Sequence, residues 1–285
     1  MNKVTVVTDS IACLPMELVD QYRIRVVPMN VLFDGKLYRD SIDISPAEIY
    51  QMLEKAPERF TTSPPSPGQF LEVYRELNGQ AESILCIAIS SKLSTLHDAA
   101  QVAKGLAEQE HIGLGVEVLD SQTAAAGQGF IALAAARAAA EGKSLAEVID
   151  AAERVRERVI VFGLLDTIRY IHRTGRIPKM AALIGSVLNI KPIFAISGGV
   201  VHFAGVTRTR NKGLERLLRM MRKKAGTNPL HVAVMHGSVP EEAERLKERV
   251  SSEFDCAEIW LTEFTPIMGY AAGAGVLALA FYTED

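Results

Sequence analysis

Short apolar runs that end in polar loops recur along the first half of the chain. Because these runs are continuous rather than alternating, they are typical of parallel strands buried on both faces. The carboxyl ends of such strands meet at one edge of a sheet, where open α/β sheets bind ligands. The clearest examples are Val4–Val7 before Thr8–Ser10, Ser83–Ser90 before Ser90–Thr95, and Gly115–Leu119 before Asp120–Ser121.

Helical patterns separate the runs, and a capping box at Ser45–Glu48 with proline at the first helical position marks one start. An extended stretch over Arg25–Phe33 turns at Asp34-Gly35, whereas the proline-rich segment Thr61–Gly68 is predicted to be irregular. Strands alternating with helices indicate a parallel sheet flanked by helices. The predicted helices cover residues 15–21, 46–55, 67–77, 96–108, 124–140 and 145–156.

The second half has a different pattern. An antiparallel hairpin is predicted around Ser197-Gly198-Gly199, with further strands and helices that indicate a mixed sheet. We therefore expect an α/β protein of two domains, a parallel domain over residues 1–157 and a mixed-sheet domain over residues 158–285. The other strands predicted here cover residues 159–165, 230–235 and 259–264.

Composition narrows the functional classes. The chain has 285 residues, of which 48% are hydrophobic and 23% charged. A chain of this length can bury a large core and still enclose a ligand cavity. A net charge of -3 gives no reason to expect nucleic acid. The cysteines, Cys13, Cys86 and Cys256, have neither metal nor disulfide spacing. A reducing, cytoplasmic location without a cofactor is the resulting expectation.

Residues 264–283 carry no charged side chain, and the length of this segment is near that of a membrane span. Pro266 and the glycines at 269, 273 and 275 interrupt it, so we interpret it as a buried glycine-rich loop before a strand over 276–282. The start of the chain lacks the pattern of a signal peptide. Neither a membrane span nor a leader is expected.

Two hydroxyl-rich loops, Thr61–Ser66 and Ser90–Thr95, form the first candidate site. Ser94 lies near a helix start, where a hydroxyl and free amides suit a carboxylate or phosphate. Ordinary helix capping explains the same residues. The residues alone leave both interpretations open.

Other motifs have similar ambiguity. Arg176 follows a glycine and suits a ligand or partner contact, or an ordinary surface position. The basic run from Arg208 to Lys224 is either a solvated helix face or a docking surface for an acidic partner protein. The loop Gly269–Gly275 fits no nucleotide motif. We find no spacing for a catalytic triad or a metal site.

Several short motifs, in order along nearly the whole chain, together resemble the DegV family of fatty-acid-binding proteins. Each fragment is weak alone, and their order and spacing carry the resemblance. They are Val7–Ser10, Phe33–Lys36 with Tyr38 and Asp40, Thr62-Ser63 with Pro65, Ser90–Ser94, Asp120-Ser121, Gly175–Ile177, Lys191–Ile193, and Pro266 with Gly269, Gly273 and Gly275.

The resemblance implies a carrier without its own reaction, holding a long-chain fatty acid between two α/β domains. It implies that Thr62 and Ser94 hold the carboxylate, with Ser63 as a further possible contact. A separate fatty-acid kinase is the implied partner for phospholipid synthesis, contacted through Arg176 and Arg208. Apolar residues in 180–196 and 267–279 are expected to line the acyl tunnel.

The chain departs from the family at three places: it has Ser94-Thr95-Leu96 where the family often has Ser-Gly-Thr, Pro64 where the family often has glutamine, and Ala271 in the glycine loop. Ala271 stands where the family commonly has a histidine that helps to fix the carboxylate, and the neighbouring Tyr270 is the candidate substitute. The departure keeps a lipid-sensing or scaffolding binder without handover as an alternative. An enzyme acting on an acyl or phosphorylated substrate is a second alternative, although it requires a base or metal near Ser94.

Overall fold

The structure, a computed structural model, describes residues 2–177 and 190–284, and these divide into two compact units. Unit 1 comprises residues 1–43 and 59–157, and unit 2 comprises residues 44–58 and 158–285. Residues 44–58, expected in the first domain, pack with unit 2. The reason is tertiary: the helix of this segment packs against another helix of unit 2.

Unit 1 is built on a four-stranded sheet in the order β2-β1-β6-β7, and all of its neighbouring strands are parallel. The predicted parallel sheet is therefore confirmed. Continuous apolar runs form its two central strands because helices cover the sheet, and Val7 and Ile87 have no exposed surface. The strands are β1 (Asn2–Asp9), β2 (Arg25–Val27), β6 (Ala81–Ala88) and β7 (Gly115–Asp120).

A second, three-stranded antiparallel sheet in unit 1 was not predicted. Its strands are β3 (Asn30–Phe33), β4 (Lys36–Arg39) and β5 (Phe60–Ser63). The prediction that Thr61–Gly68 is irregular was wrong for the first part of that segment. Residues 60–63 form a strand because β3 supplies the hydrogen-bonding partners, and the prolines begin only after this strand ends.

The helices of unit 1 follow local signals closely. Ser66 starts α3 with a capping box, in which its hydroxyl accepts from the amide of Gln69 and the Gln69 side chain accepts from the amide of Ser66. The alanine-rich α5 is buried on nearly every face, because its apolar residues are distributed around the whole helix rather than along one stripe. The helices are α1 (Met16–Gln21), α3 (Pro67–Leu77), α4 (Leu96–Gln109), α5 (Ala126–Ala140) and α6 (Leu145–Arg158).

Unit 2 contains a mixed six-stranded sheet in the order β10-β9-β8-β13-β11-β12, which confirms the mixed-sheet prediction. The predicted hairpin is β9 and β10, paired antiparallel across the turn at Gly198 and Gly199, both with positive φ. The strands are β8 (Ile160–Leu164), β9 (Lys191–Ser197), β10 (Val200–Thr207), β11 (Leu230–His236), β12 (Cys256–Glu263) and β13 (Leu277–Thr283).

Helices on the unit 2 sheet bury Leu217, Leu218 and Leu246 against strand residues such as Val232 and Leu279. Within the described ranges, no helix is both long and apolar enough to cross a membrane. The helices of unit 2 are α2 (Pro46–Lys55), α7 (Arg169–Arg173), α8 (Arg210–Ala225), α9 (Pro240–Glu253) and α10 (Pro266–Ala272).

The predicted glycine-rich loop at 269–275 is largely helical, which corrects the sequence interpretation. Pro266 stands at the first position of α10, and Gly273, with φ of 81°, ends the helix. A side chain at Gly269 would meet Tyr50 of α2 at 2.9 Å, so this glycine allows the two helices to approach closely.

Candidate functional site at the carboxyl edge of unit 1

The loops after β1, β6 and β7 meet at the carboxyl edge of the parallel sheet, as the sequence predicted. The Ser91 hydroxyl donates to the carboxylate of Asp120 at 2.6 Å, which joins the loops after β6 and β7. The amide of Ile89 donates to Asp9 at 3.0 Å, which joins the loops after β1 and β6. This edge is therefore one connected polar surface.

Asp9 is the centre of that network. Its carboxylate accepts from the amides of Ile11 and Ile89 and from the side-chain amide of Gln128 at 2.8 Å. Gln128 also donates to the Thr8 hydroxyl. Sequence reasoning found no partner for Asp9 because Gln128 lies in α5, 119 residues away. A polar residue in the apolar first half of an alanine-rich helix was the available signal.

Burial raises the pKa of Asp9 to about 6, although the hydrogen bonds from Ile89, Gln128 and Ile11 favour the charged form. The nearby Asp40 carboxyl raises the pKa further. The three donors all come from within unit 1 and all point at one carboxyl group. The arrangement ties the backbone after β1 and after β6 to a side chain of α5.

Thr62 lies on β5, an edge strand of the three-stranded sheet. It is paired across the ladder with Val31, so the two side chains share one face of that sheet. Val31 is fully buried and Thr62 is half-buried. Among the described residues, none forms a hydrogen bond with the Thr62 hydroxyl.

Ser63 projects to the opposite face, because successive side chains of a strand alternate. It pairs with Asn30 and is exposed. Thr62 and Ser63 therefore do not point to the same site. The opposite orientation of these two side chains could be predicted only once residues 60–63 were known to form a strand.

Ser94 lies in the loop between β6 and α4, which is also in unit 1. Its Oγ accepts from the amide of Leu96 at 3.2 Å, and its own amide donates to the Ser90 carbonyl. Accepting this bond leaves the hydroxyl proton of Ser94 available for donation. Thr95, the N-cap of α4, makes no side-chain hydrogen bond to the first amides of the helix. These amides and the positive end of the helix dipole favour an anion at this position.

The remaining predicted contacts lie in unit 2. Arg176 follows α7 and is exposed, with its guanidinium donating to the Thr174 carbonyl. Arg208 is exposed between β10 and α8. Tyr270 and Ala271 are half-buried in α10, so the residue in place of the family histidine lies on a helix.

Part of the predicted tunnel lining lies outside the described residues, namely residues 180–189 of the segment 180–196. In the other segment, 267–279, the strand residues Leu277–Leu279 are fully buried in the core of unit 2. Within the ranges that the structure describes, no group of three or more His, Cys, Asp or Glu side chains has a metal-binding arrangement.

Comparison with known proteins agrees with this architecture. A family model described as "Uncharacterised protein, DegV family" matches residues 3–284. A DegV domain-containing protein of Listeria innocua is 32% identical over 282 residues, covering 98% of each chain. The chain belongs to the DegV family.

Two solved DegV structures have the same fold over 100% of both chains. One, from Thermus thermophilus, is described by its fatty-acid binding and has a TM-score of 0.90 with 32% identity. The other is DegV of Bacillus subtilis, described as a fatty acid binding protein, with a TM-score of 0.89 and 29% identity. These likenesses confirm the family resemblance and the α/β fold that the sequence predicted.

Proposed function

We propose that this chain binds a long-chain fatty acid, with its carboxylate held by the hydroxyls of Thr62 and Ser94. The observation that carries the proposal is that each hydroxyl retains a proton to donate. Among the described residues, the Thr62 hydroxyl has no hydrogen-bond partner, and Ser94 Oγ acts only as an acceptor, from the amide of Leu96. Two solved DegV relatives that match the whole chain are described as fatty-acid-binding.

The chemistry at Ser94 favours an anion over a neutral head group. A carboxylate at the start of α4 accepts charge-assisted hydrogen bonds and lies at the positive end of the helix dipole. The acyl chain supplies most of the affinity, about 0.8 kcal/mol for each methylene removed from water. The hydroxyls therefore select and orient the ligand, and the chain determines how tightly it binds.

The test is the double variant Thr62→Ala/Ser94→Ala, with stearic acid as ligand and displacement of a fluorescent fatty acid as readout. Two hydrogen bonds to a charged group, each worth about 1.5–3 kcal/mol, predict an affinity loss of about 100-fold or more. Ser63→Ala is the matched control, because it removes a neighbouring hydroxyl from the opposite face of β5. A double variant that folds normally and binds within about threefold of the wild type would refute the assignment.

We further propose that the bound acid is presented to a separate fatty-acid kinase, which makes this chain a carrier rather than an enzyme. In that step a carboxylate oxygen attacks the γ-phosphorus of ATP, and ADP leaves. Exposed Arg176 and Arg208 are the proposed kinase contacts. The variant Arg176→Ala/Arg208→Ala should retain fatty-acid affinity but lose acyl-phosphate formation in a reconstituted assay with kinase and ATP.

The same assay separates the proposal from its alternatives. Acyl-phosphate formation that requires both proteins supports the carrier. Fatty-acid binding without any handover favours a lipid-sensing or scaffolding protein, which the alanine at position 271 keeps open. Turnover by this chain alone would instead assign it an enzymatic reaction.

A further inference from the structure

Ser94 is the last residue of a tight turn that follows β6. The Ser90 carbonyl accepts from the amide of Leu93 at 2.9 Å and from the amide of Ser94 at 3.2 Å. Because these two bonds fix the distance between the start and the end of the turn, a displacement of its start is passed on to Ser94. The position of the Ser94 hydroxyl therefore depends on what holds the start of the turn.

The loop after β7 holds the start of this turn at two points. The Ser90 amide donates to the Thr123 carbonyl at 3.0 Å. The Ser91 hydroxyl donates to one carboxylate oxygen of Asp120 at 2.6 Å, and the Ser91 amide donates to the other at 3.3 Å. The first attachment joins two main-chain groups, whereas the second depends on the side chain of Asp120.

The carboxylate of Asp120 is itself oriented by its own loop. Asp120 is the last residue of β7, and its Oδ1 also accepts from the amide of Gln122 at 2.8 Å. Three donors therefore meet at this one carboxylate, and two of them belong to Ser91. Hydrogen bonds to a charged acceptor are stronger than those between neutral groups, so this is a firm attachment for the turn.

We propose that Asp120 is a positioning residue for the fatty-acid carboxylate, because it holds Ser91 and thereby sets where the Ser94 hydroxyl lies. The inference rests on the proposed function, since Ser94 is the hydroxyl proposed to bind the ligand. A carboxylate has no donor, so Asp120 cannot itself hold an anionic ligand. Ser91 donates its only hydroxyl proton to Asp120 and has none left for a ligand.

The direction of the effect distinguishes positioning from electrostatics. A negative charge at the same edge as an anion site repels the ligand, so removing that charge alone should strengthen the binding of stearic acid. If Asp120 positions Ser94, removing the side chain should weaken the binding instead. Asp120→Ala should therefore lower stearic-acid affinity about three- to tenfold, measured by displacement of a fluorescent fatty acid.

Ser91 gives an independent variant of the same attachment. Ser91→Ala removes the hydroxyl that joins the turn to Asp120 and should lower the affinity by a similar factor. Ser91→Thr keeps a hydroxyl at this position and should restore the affinity to within about twofold of the wild type. Because Ser91 is exposed, these variants keep the test decisive even if Asp120→Ala does not fold.

Ser144→Ala is the matched control. The Ser144 hydroxyl also donates to a carboxylate at 2.6 Å, that of Glu147, but this pair lies at the start of α6. The control removes the same kind of hydrogen bond from unit 1 without touching the loops after β6 and β7. It should bind stearic acid like the wild type.

A double-mutant cycle shows whether the effect passes through Ser94. Ser94→Ala alone should lower the affinity about tenfold or more, because it removes one hydrogen bond to a charged group. In that background, Ser91→Ala and Asp120→Ala should each change the affinity by less than about twofold, because the hydroxyl that they position is already gone.

The outcomes separate this inference from the proposed function. Unchanged affinity in Ser94→Ala would overturn both. Reduced affinity in Ser94→Ala together with unchanged or tighter binding in Asp120→Ala and Ser91→Ala would overturn the positioning role alone. Equal losses with and without the Ser94 hydroxyl would also overturn it, since Ser91 and Asp120 would then act independently of Ser94.

Discussion

Replacing Asp9 by asparagine should change how the stability of unit 1 depends on pH. Asparagine keeps the size of the side chain, and its carbonyl oxygen can still accept from Ile89 and Gln128. The amide nitrogen would face the amide of Ile11, so that hydrogen bond is lost. Losing this bond lowers the free energy of unfolding by about 1–3 kcal/mol at every pH. The pH dependence is a separate effect, because it comes from the titration of Asp9 in the wild type.

Burial raises the pKa of Asp9 from 3.8 to about 6 in the folded protein. The folded state therefore prefers the protonated form. The resulting stabilisation is fully present below the unfolded-state value and is lost as the pH rises through about 6. A shift of this size corresponds to about 3 kcal/mol in total, of which about 2 kcal/mol is lost between about pH 4.5 and pH 7.

The difference between variant and wild type isolates this effect from other titrating groups. The free energy of unfolding of Asp9→Asn, relative to wild type, should rise by about 2 kcal/mol between about pH 4.5 and pH 7. Hydrogen exchange of the β6 segment, corrected for intrinsic rates, measures it in unit 1. Fluorescence does not, because the single tryptophan, Trp260, lies in unit 2.

Asp43→Asn is the matched control. Hydrogen bonds from the Arg39 side chain and amide lower the pKa of Asp43 to about 2, so its stabilisation is lost only as the pH falls toward that value. Its difference from wild type should be constant between about pH 4.5 and pH 7. A constant difference for Asp9→Asn as well, or a carboxyl titration of Asp9 near its ordinary value by NMR, would refute the reasoning.

Two further predictions use matched positions. Gly105→Ala in α4 should stabilise the protein by about 0.5–1 kcal/mol in urea unfolding, because the added methyl meets nothing within 4 Å. Gly129→Ala in α5 should destabilise it by about 1–3 kcal/mol, because the methyl would lie 2.6 Å from the Ala12 carbonyl oxygen. Effects of the same sign would contradict this packing argument. Burial raises the pKa of the Cys86 thiol to about 12, so iodoacetamide should modify the half-buried Cys256 first, as peptide mass spectrometry will reveal. Faster labelling of Cys86 would show that β6 opens readily.

Much of the candidate site could be predicted because its signals are local. Polar residues directly after buried strands identified the carboxyl edge, and the Ser91–Asp120 contact lies at that edge. Ser94 could be recognised from its position at the start of a helix. The orientation of Thr62 could not, because it depends on residues 60–63 forming a strand.

Local sequence signals account for the elements whose causes are local: buried parallel strands from continuous apolar runs, the helix start at Ser45 from its capping box, and the hairpin at Gly198-Gly199. Other features depend on contacts between residues that are far apart in the chain. Residues 60–63 become a strand only because β3 lies beside them, and residues 44–58 join unit 2 only through contacts made there. Asp9 acquires its raised pKa because folding removes it from water, and this effect outweighs the donors, one of them 119 residues away, that favour its charged form. Short-range propensity cannot encode such contacts, since their free energy appears only when the distant groups meet.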